Sequence, residues 1–484
     1  MKPIFKSTHI FGLVLALLWV WTGTNGLTAQ KRVGDIKYSE LHKINLPEIQ
    51  KTEIANGMKL RLIKDDKLPL IHVRVLLKGG IAYDPSDKRG LSSMMAQLLR
   101  IGGTKDLSGD DMDKALDSKG ITINIYATND YFSLSMDCLT ENIDAAMSLL
   151  ARMLREPAFN QEKLEEIKVK AVSAISRRNE QPNGVMRREF LKLIYGENSP
   201  FANAQEYDDV KNISRDDVVK MYEQCITPDN MLVGVTGPLA MNQVRDLFDR
   251  HFGGWNTKAN IPPFPEVTEQ PHDFKVAFAE RPNLNQSYFI IGQLGVKRDL
   301  AETAKFRVFN TIFSGDFSSR INMRIRVRMG LTYGAAGGIF PEYRYPGATY
   351  FTTYTKSEST IEAIKAMLDE INLIRKQKVT EKELNEAKNY YLNSYVFNFS
   401  SPERILFTSI YNEFYGIPQD FDKQLQEDIK KVTAEDVFGV AEKYLSPDKM
   451  IIVVVGNEKE IKGDLSELGK VKKLDISIKP PVSR

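Results

Sequence analysis

Apolar and polar residues alternate along this chain with two clear periods. Behind an Asn56-Gly57 turn, Met58, Leu60 and Leu62 alternate with polar and charged residues, and Ile71-His72-Val73-Arg74-Val75 does the same. A period of two predicts half-buried strands, and Asn-Gly between short runs predicts a hairpin. Ile121 to Ile125 and Tyr131 to Met136 form a second alternating pair. Other stretches follow the helical period. Leu91, Met94, Met95, Leu98 and Leu99 share one face, as do Ile143, Met147, Leu150 and Leu154. A further helix spans Leu164 to Arg178 and closes before Pro182, and Val218, Val219 and Tyr222 mark another. Met231 to Val235 is a continuous apolar run, the pattern of a buried strand. Strands followed by pairs of helices predict an α+β fold, a mostly antiparallel sheet with helices packed on one face.

The pattern occurs twice. Ile213-Ser214-Arg215-Asp216-Asp217-Val218 answers to Val432-Thr433-Ala434-Glu435-Asp436-Val437, and Thr227-Pro228-Asp229-Asn230-Met231 to Ser446-Pro447-Asp448-Lys449-Met450. Gly237 answers to Gly456 and Tyr131-Phe132 to Tyr350-Phe351, all at an offset of 219 residues. This predicts two homologous domains, 45–256 and 273–465, facing each other as a clamshell around a chamber. Pro262, Pro263, Pro265 and Pro271 fall in the 257–272 linker between them, and 466–484 form a tail.

Composition narrows the function. Lys+Arg minus Asp+Glu is 66 − 63, or +3, too small a field to suggest nucleic acid as a partner. Lys2 and Lys6 followed by an apolar run from Ile10 to Trp21 read as a signal peptide over 1–29. The expectation is an exported, periplasmic protein with no membrane span after cleavage; an uncleaved segment would leave it membrane-associated. Cys138 and Cys225 are expected to be buried free thiols. The five His residues include no H-x-x-x-H pair.

Several pieces in order and spacing carry a resemblance. They are the Asn56-Gly57 hairpin, the Gly90-Leu91…Gly103-Thr104 helix frame, Pro228-Asp229-Asn230, Phe252-Gly253-Gly254-Trp255, and Phe317-Ser318-Ser319-Arg320…Gly330-Leu331-Thr332-Tyr333-Gly334. Across nearly the whole mature chain it resembles the insulinase/pitrilysin (M16) superfamily of zinc peptidases, in its processing-peptidase-like branch. Active members carry H-x-x-E-H on the helix after the Gly-Leu, two zinc ligands around a general base. The matching positions here are Ser93, Ala96 and Gln97, and the third ligand position is Ala174, 77 residues beyond Gln97 and eight before Pro182. These side chains offer no donor set for zinc, so no cofactor is expected in this chain.

The resemblance also implies what remains. An Arg and a Tyr from the C-terminal domain of active members reach the zinc site, and Arg326 and Tyr333 match them. By this resemblance Tyr333 would donate to the oxyanion and Arg326 would anchor a substrate carbonyl. Family members bind peptide as an added strand, and Asn124, Ile125, Tyr126, Ala127 and Thr128 occupy the matching edge. Some bacterial members divide the labour between two chains. The implied assembly is a heterodimer with a homologue carrying H-x-x-E-H and its zinc, acting on a peptide or unfolded polypeptide. The alternative is a structural scaffold, or a peptide-binding clamshell, of the same fold.

Overall fold

The computed structural model describes residues 46–202 and 204–478. The signal-peptide expectation and the last six residues of the tail lie outside the described residues. The first half opens with β1 (Gln50–Glu53), β2 (Lys59–Lys64) and β3 (Leu70–Lys78), followed by α1 (Leu91–Ile101), β4 (Thr122–Ala127) and β5 (Tyr131–Leu139). It also holds the helices α2 (Ile143–Arg155), α3 (Gln161–Arg177), α4 (Pro182–Tyr195) and α5 (Arg215–Cys225), then β6 (Met231–Gly237) and α6 (Met241–Phe252), besides shorter helices at Gly109–Asp117 and Tyr207–Asn212. No helix or strand interrupts the proline-bearing stretch from 253 to 275.

The second half runs β7 (Val276–Glu280), β8 (Gln286–Leu294), α7 (Thr303–Asn310), β9 (Ala335–Phe340), β10 (Ala348–Lys356), α8 (Thr360–Ile374), α9 (Glu381–Tyr395), α10 (Pro402–Phe414), α11 (Ala434–Tyr444), β11 (Ile451–Gly456) and β12 (Val471–Lys473). Each half forms its own six-stranded sheet, ordered β1-β2-β6-β3-β5-β4 and β12-β7-β11-β8-β10-β9. Only β2–β6, β7–β11 and β7–β12 pair in parallel; the remaining pairs are antiparallel. The α+β expectation of two similar sheets with helices therefore holds.

The repeat landmarks have a local cause. Ser214 caps α5 by accepting the Asp217 N–H, while the Asp217 carboxylate accepts the Ser214 N–H at 2.8 Å. Thr433 and Asp436 make the same reciprocal pair at the start of α11. The two sequences that answer each other are thus two copies of one capping box.

Each sheet packs one face on helices of its own half, with Leu60, Val73, Met95, Leu98 and Met136 central to the first core and Phe289, Phe309, Phe351 and Ile452 to the second. The opposite face is covered by a helix from the other half. In α4, Val185, Met186, Phe190 and Ile194 pack on Ala277, Ile290 and Val453 of the second sheet. In α10, Leu406 and Ile410 pack on Ile63, Leu76 and Leu232 of the first. Glycines admit both helices. A Cβ on Gly292 would lie 2.7 Å from the Phe190 ring, and one on Gly234 would lie 3.1 Å from Leu406. Pro182, read in the sequence as a helix stop, is the first residue of α4, where its missing N–H costs nothing.

Polar contacts reinforce the exchange. The buried Arg61 forks onto Glu413, its Nε donating at 2.8 Å, and holds that carboxyl below the usual range. His72 lies between Asp137 (2.7 Å) and Glu403 (3.4 Å), a hydrogen-bonded role rather than a metal-binding one. The Tyr415 hydroxyl donates to Asp130 at 2.8 Å. Cys138 and Cys225 are both free and buried, and burial pushes their thiols up to about 11 and about 12. Among the described residues no helix is long and apolar enough to cross a membrane.

Candidate functional site

The four positions that the resemblance assigns to a zinc site lie on α1 and α3. Gly90, in the left-handed region at φ 94°, turns the chain into α1. Beneath it the buried Asp84 accepts from the Gly90 N–H at 2.8 Å, the Ser92 N–H at 2.9 Å and the Ser92 hydroxyl at 2.5 Å. On α1, Ser93 is half-buried, Ala96 is buried in the first core, and Gln97 is exposed with its amide donating to the Ser93 carbonyl at 3.3 Å. Ala174 is exposed on α3, which packs against α1. The donor inventory at these positions is one hydroxyl and one amide. Neither is anionic, and neither is the imidazole that borderline-soft Zn²⁺ prefers. The residues do not fit the metal, and among the described residues no group of three or more His, Cys, Asp or Glu could hold one.

Asp84 has a measurable consequence. Burial raises its carboxyl to about 6, against the lowering effect of the Ser92 and Gly90 hydrogen bonds. A raised carboxyl pKa means that the folded chain holds this proton more tightly than the unfolded one. The contribution is full below about pH 4, the unfolded value, and is lost as pH rises through about 6. A gap of this size corresponds to about 3 kcal/mol. Urea midpoints of wild-type and Asp84→Asn protein, compared at acid and neutral pH, should therefore shift in the variant's favour at neutral pH. An unchanged difference would show that Asp84 does not titrate in this window.

Among the described residues no strand pairs with the outer edge of β4, beside α1. β4 ends its sheet, and the Thr128 N–H donates to the Tyr131 carbonyl at 2.8 Å, which makes 128 and 131 a hydrogen-bonded pair. Counting back by twos, 126 and 124 also bond inward to β5. The backbone groups of Ile123, Ile125 and Ala127 therefore face outward. The Ile123 carbonyl is taken by Arg100 of α1, whose Nε donates at 2.8 Å. Ile125 and Ala127 are left as the pairing positions, while Asn124 and Tyr126 present exposed side chains. Thr128 closes the edge, since its carbonyl accepts from the Ile81 N–H. The sequence marks the strand but not the direction of its backbone groups, so it gave no special weight to Ile125.

Arg326 and Tyr333 lie in the second half, on a helical stretch and on the loop that follows it. Arg326 lies in a seven-residue π-helical stretch, Asn322–Arg328, that packs on α8 and β9. π-Helical insertions recur at functional sites. Its guanidinium rests 4.5 Å over the exposed Phe317 ring. Arg320 and Arg324 nearby are committed to Glu383 and to Asp369 and Glu370, but among the described residues no carboxylate pairs with Arg326. Tyr333 is 81% exposed. Its loop is nevertheless pinned: Thr332 meets Thr353 at 2.8 Å, Thr353 donates to the Gly334 carbonyl at 2.8 Å, and Thr355 donates to the Leu331 carbonyl at 2.7 Å. The buried Asn322 amide bonds the Asp316 and Ala335 carbonyls at 2.9 Å and accepts from the Ala335 N–H. It ties the Arg326 helix to the strand after Tyr333. Sequence reasoning missed Asn322, Thr353 and Thr355; the run of threonines in β10 was the available signal.

Within this chain, α1 packs on β4, α3 and α5, all of the first half, and the stretch bearing Arg326 packs on α8 and β9 of the second. Ser93, Ala96, Gln97 and Ala174 are thus borne on elements of one half, and Arg326 and Tyr333 on elements of the other. That division can be set against known proteins. A family profile described as Insulinase (Peptidase family M16) matches residues 62–203, and one described as Peptidase M16 inactive domain matches 212–391. A Helicobacter pylori protein named non-peptidase homolog YmxG is 23% identical over 84% of this chain and 94% of its own length. The bovine mitochondrial cytochrome b-c1 complex subunit 1 is 22% identical over 43% of this chain and 44% of its own. A solved peptidase M16 inactive domain from Pseudomonas fluorescens superposes with a TM-score of 0.77 at 21% identity, covering 85% of this chain and all but 2% of that one. With M16 profiles matching residues 62–203 and 212–391, the second of them described as the inactive domain, the chain belongs to the M16 insulinase family as an inactive-type homologue.

Proposed function

We propose that this protein is the zinc-less subunit of a heterodimeric, exported metallopeptidase. It binds peptide and lends Arg326 and Tyr333 to a site whose H-x-x-E-H motif and zinc belong to an M16 partner. The observation that carries this reading is a pinned loop that holds the Tyr333 phenol out into solvent, seven residues after an Arg326 that has no carboxylate partner among the described residues. A scaffold needs neither. Peptide hydrolysis builds negative charge on the carbonyl oxygen, and a guanidinium fork and a phenol O–H are good donors to it. The open pairing positions Ile125 and Ala127 fit an extended peptide added as a strand.

The test is hydrolysis of an unfolded peptide by the mature chain alone, by the zinc-motif homologue of the same genome alone, and by the two together. Activity confined to the mixture supports the proposal. A stable heterodimer without hydrolysis would favour the scaffold reading, to which the similarity to the b-c1 subunit gives weight. Chelator-sensitive activity from this chain alone would overturn both.

A further inference from the structure

A cavity of about 340 Å³ lies where the two halves meet, lined by Lys78, Arg298, Leu300, Tyr343, Arg344, Phe414, Tyr415 and Ile417. Lys78 ends β3 of the first sheet, Arg298 follows β8, and Tyr343 and Arg344 lie in the β9–β10 connection. Phe414 ends α10, the helix lent to the first half, and Tyr415 follows it. Three of the lining side chains are cationic and none is acidic.

Elsewhere along the first half's α4 seam the cations are matched. Arg89 pairs with Asp209, Arg178 with Glu206, and Arg188 with Glu189, all around a second cavity of about 430 Å³. Among the described residues Lys78, Arg298 and Arg344 form no such ion pair. Arg298 donates to the Pro341 carbonyl and to the Tyr343 hydroxyl at 3.1 Å, and its guanidinium stacks 4.3 Å from the Tyr343 ring. Tyr343 in turn stacks on Tyr415, with centroids 4.3 Å apart and planes 20° apart. Arg344 lies over Phe264. Both guanidinium planes are thus fixed by aromatic faces, with N–H groups left over from a fork of five.

Two carboxylates lie close by. Asp130 accepts from Tyr415, and Glu342 makes no ion pair among the described residues. Burial raises both, while Arg344 lowers Asp130 and Arg298 lowers Glu342, so the two carboxylates offset part of the site's positive charge. Three cations against two nearby carboxylates leave a surplus of positive charge in a half-enclosed cavity, which a bound anion would offset.

We propose that this cavity binds a small oxyanion bearing two or more negative charges, a phosphate-type or polycarboxylate group, between Lys78, Arg298 and Arg344. Because its walls come from both halves, such an anion would stabilise the joined chain. The site is independent of the peptidase reading, and its test uses no peptide.

The experiment is isothermal titration and thermal unfolding of the mature chain with potassium pyrophosphate, potassium citrate and potassium chloride at matched ionic strength. Pyrophosphate or citrate should raise Tm well above chloride, and which of the two does so identifies the source of the oxyanion. Lys78→Gln, at an exposed position, and Arg344→Gln should each weaken binding at least about tenfold, the loss of one charge-assisted contact. Equal behaviour of all three salts, or unchanged binding in both variants, would overturn the proposal.

Discussion

In the mixed assembly, Tyr333→Phe should lower kcat about 10²- to 10³-fold with little change in KM. That is the effect of removing one donor to a developing oxyanion. Arg326→Ala should lower kcat/KM by a similar factor, with much of the loss in KM, because a carbonyl anchor also acts in the ground state. Neither change should disturb folding. Tyr333 is 81% exposed, and its loop is held by Thr332, Thr353 and Asn322 rather than by its own ring. Unfolding midpoints of both variants should stay close to wild type, and a partner pull-down should capture both. Full activity of the mixture with either variant would remove the Arg/Tyr pair from the chemistry and with it the reason for reading this chain as a completing subunit.

A second large effect is expected far from any site. Phe190→Ala should destabilise the protein by about 3–5 kcal/mol, and Ile410→Ala by about 2–5. Phe190 is 1% exposed and seated on Gly292; Ile410 is fully buried over Gly234. Each helix covers the sheet of the opposite half, so the damage should appear in trans. Hydrogen exchange of Phe190→Ala should speed up in β8 and β11 of the second sheet, although the substitution lies in the first half. Denaturant unfolding should remain a single transition for both variants. Loss of protection confined to the mutated half would mean that the two sheets fold as independent units.

The strands were legible because their signals are local. Alternation marked β2, β3, β4 and β5, and the matching segments around Ser214 and Thr433 carried the repeat, although their role as capping boxes emerged only in the structure. The resemblance placed Gln97 and Ala174 on helices meant to share one site, and α1 does pack on α3. The helix exchange was not. Val185, Met186, Phe190 and Ile194 make an apolar face, but nothing local says that its partner sheet begins about 90 residues later. Pro182 carried two meanings, stop and start, and periodicity cannot choose between them. The same limit applies to Ile125: a period of two assigns side chains to faces and says nothing about which strand is left at the edge.

The exchange of α4 and α10 also decides how a peptide could come and go. Swinging the halves apart about the 253–275 connection would lift Phe190 from Gly292 and Leu406 from Gly234, baring two apolar sheet faces at once. That is closer to denaturation than to gating. A chain built this way behaves as one rigid jaw. Entry and exit would then depend on how far two such jaws separate, so turnover in a heterodimer should follow the lifetime of the complex, and dilution should act on it like an inhibitor.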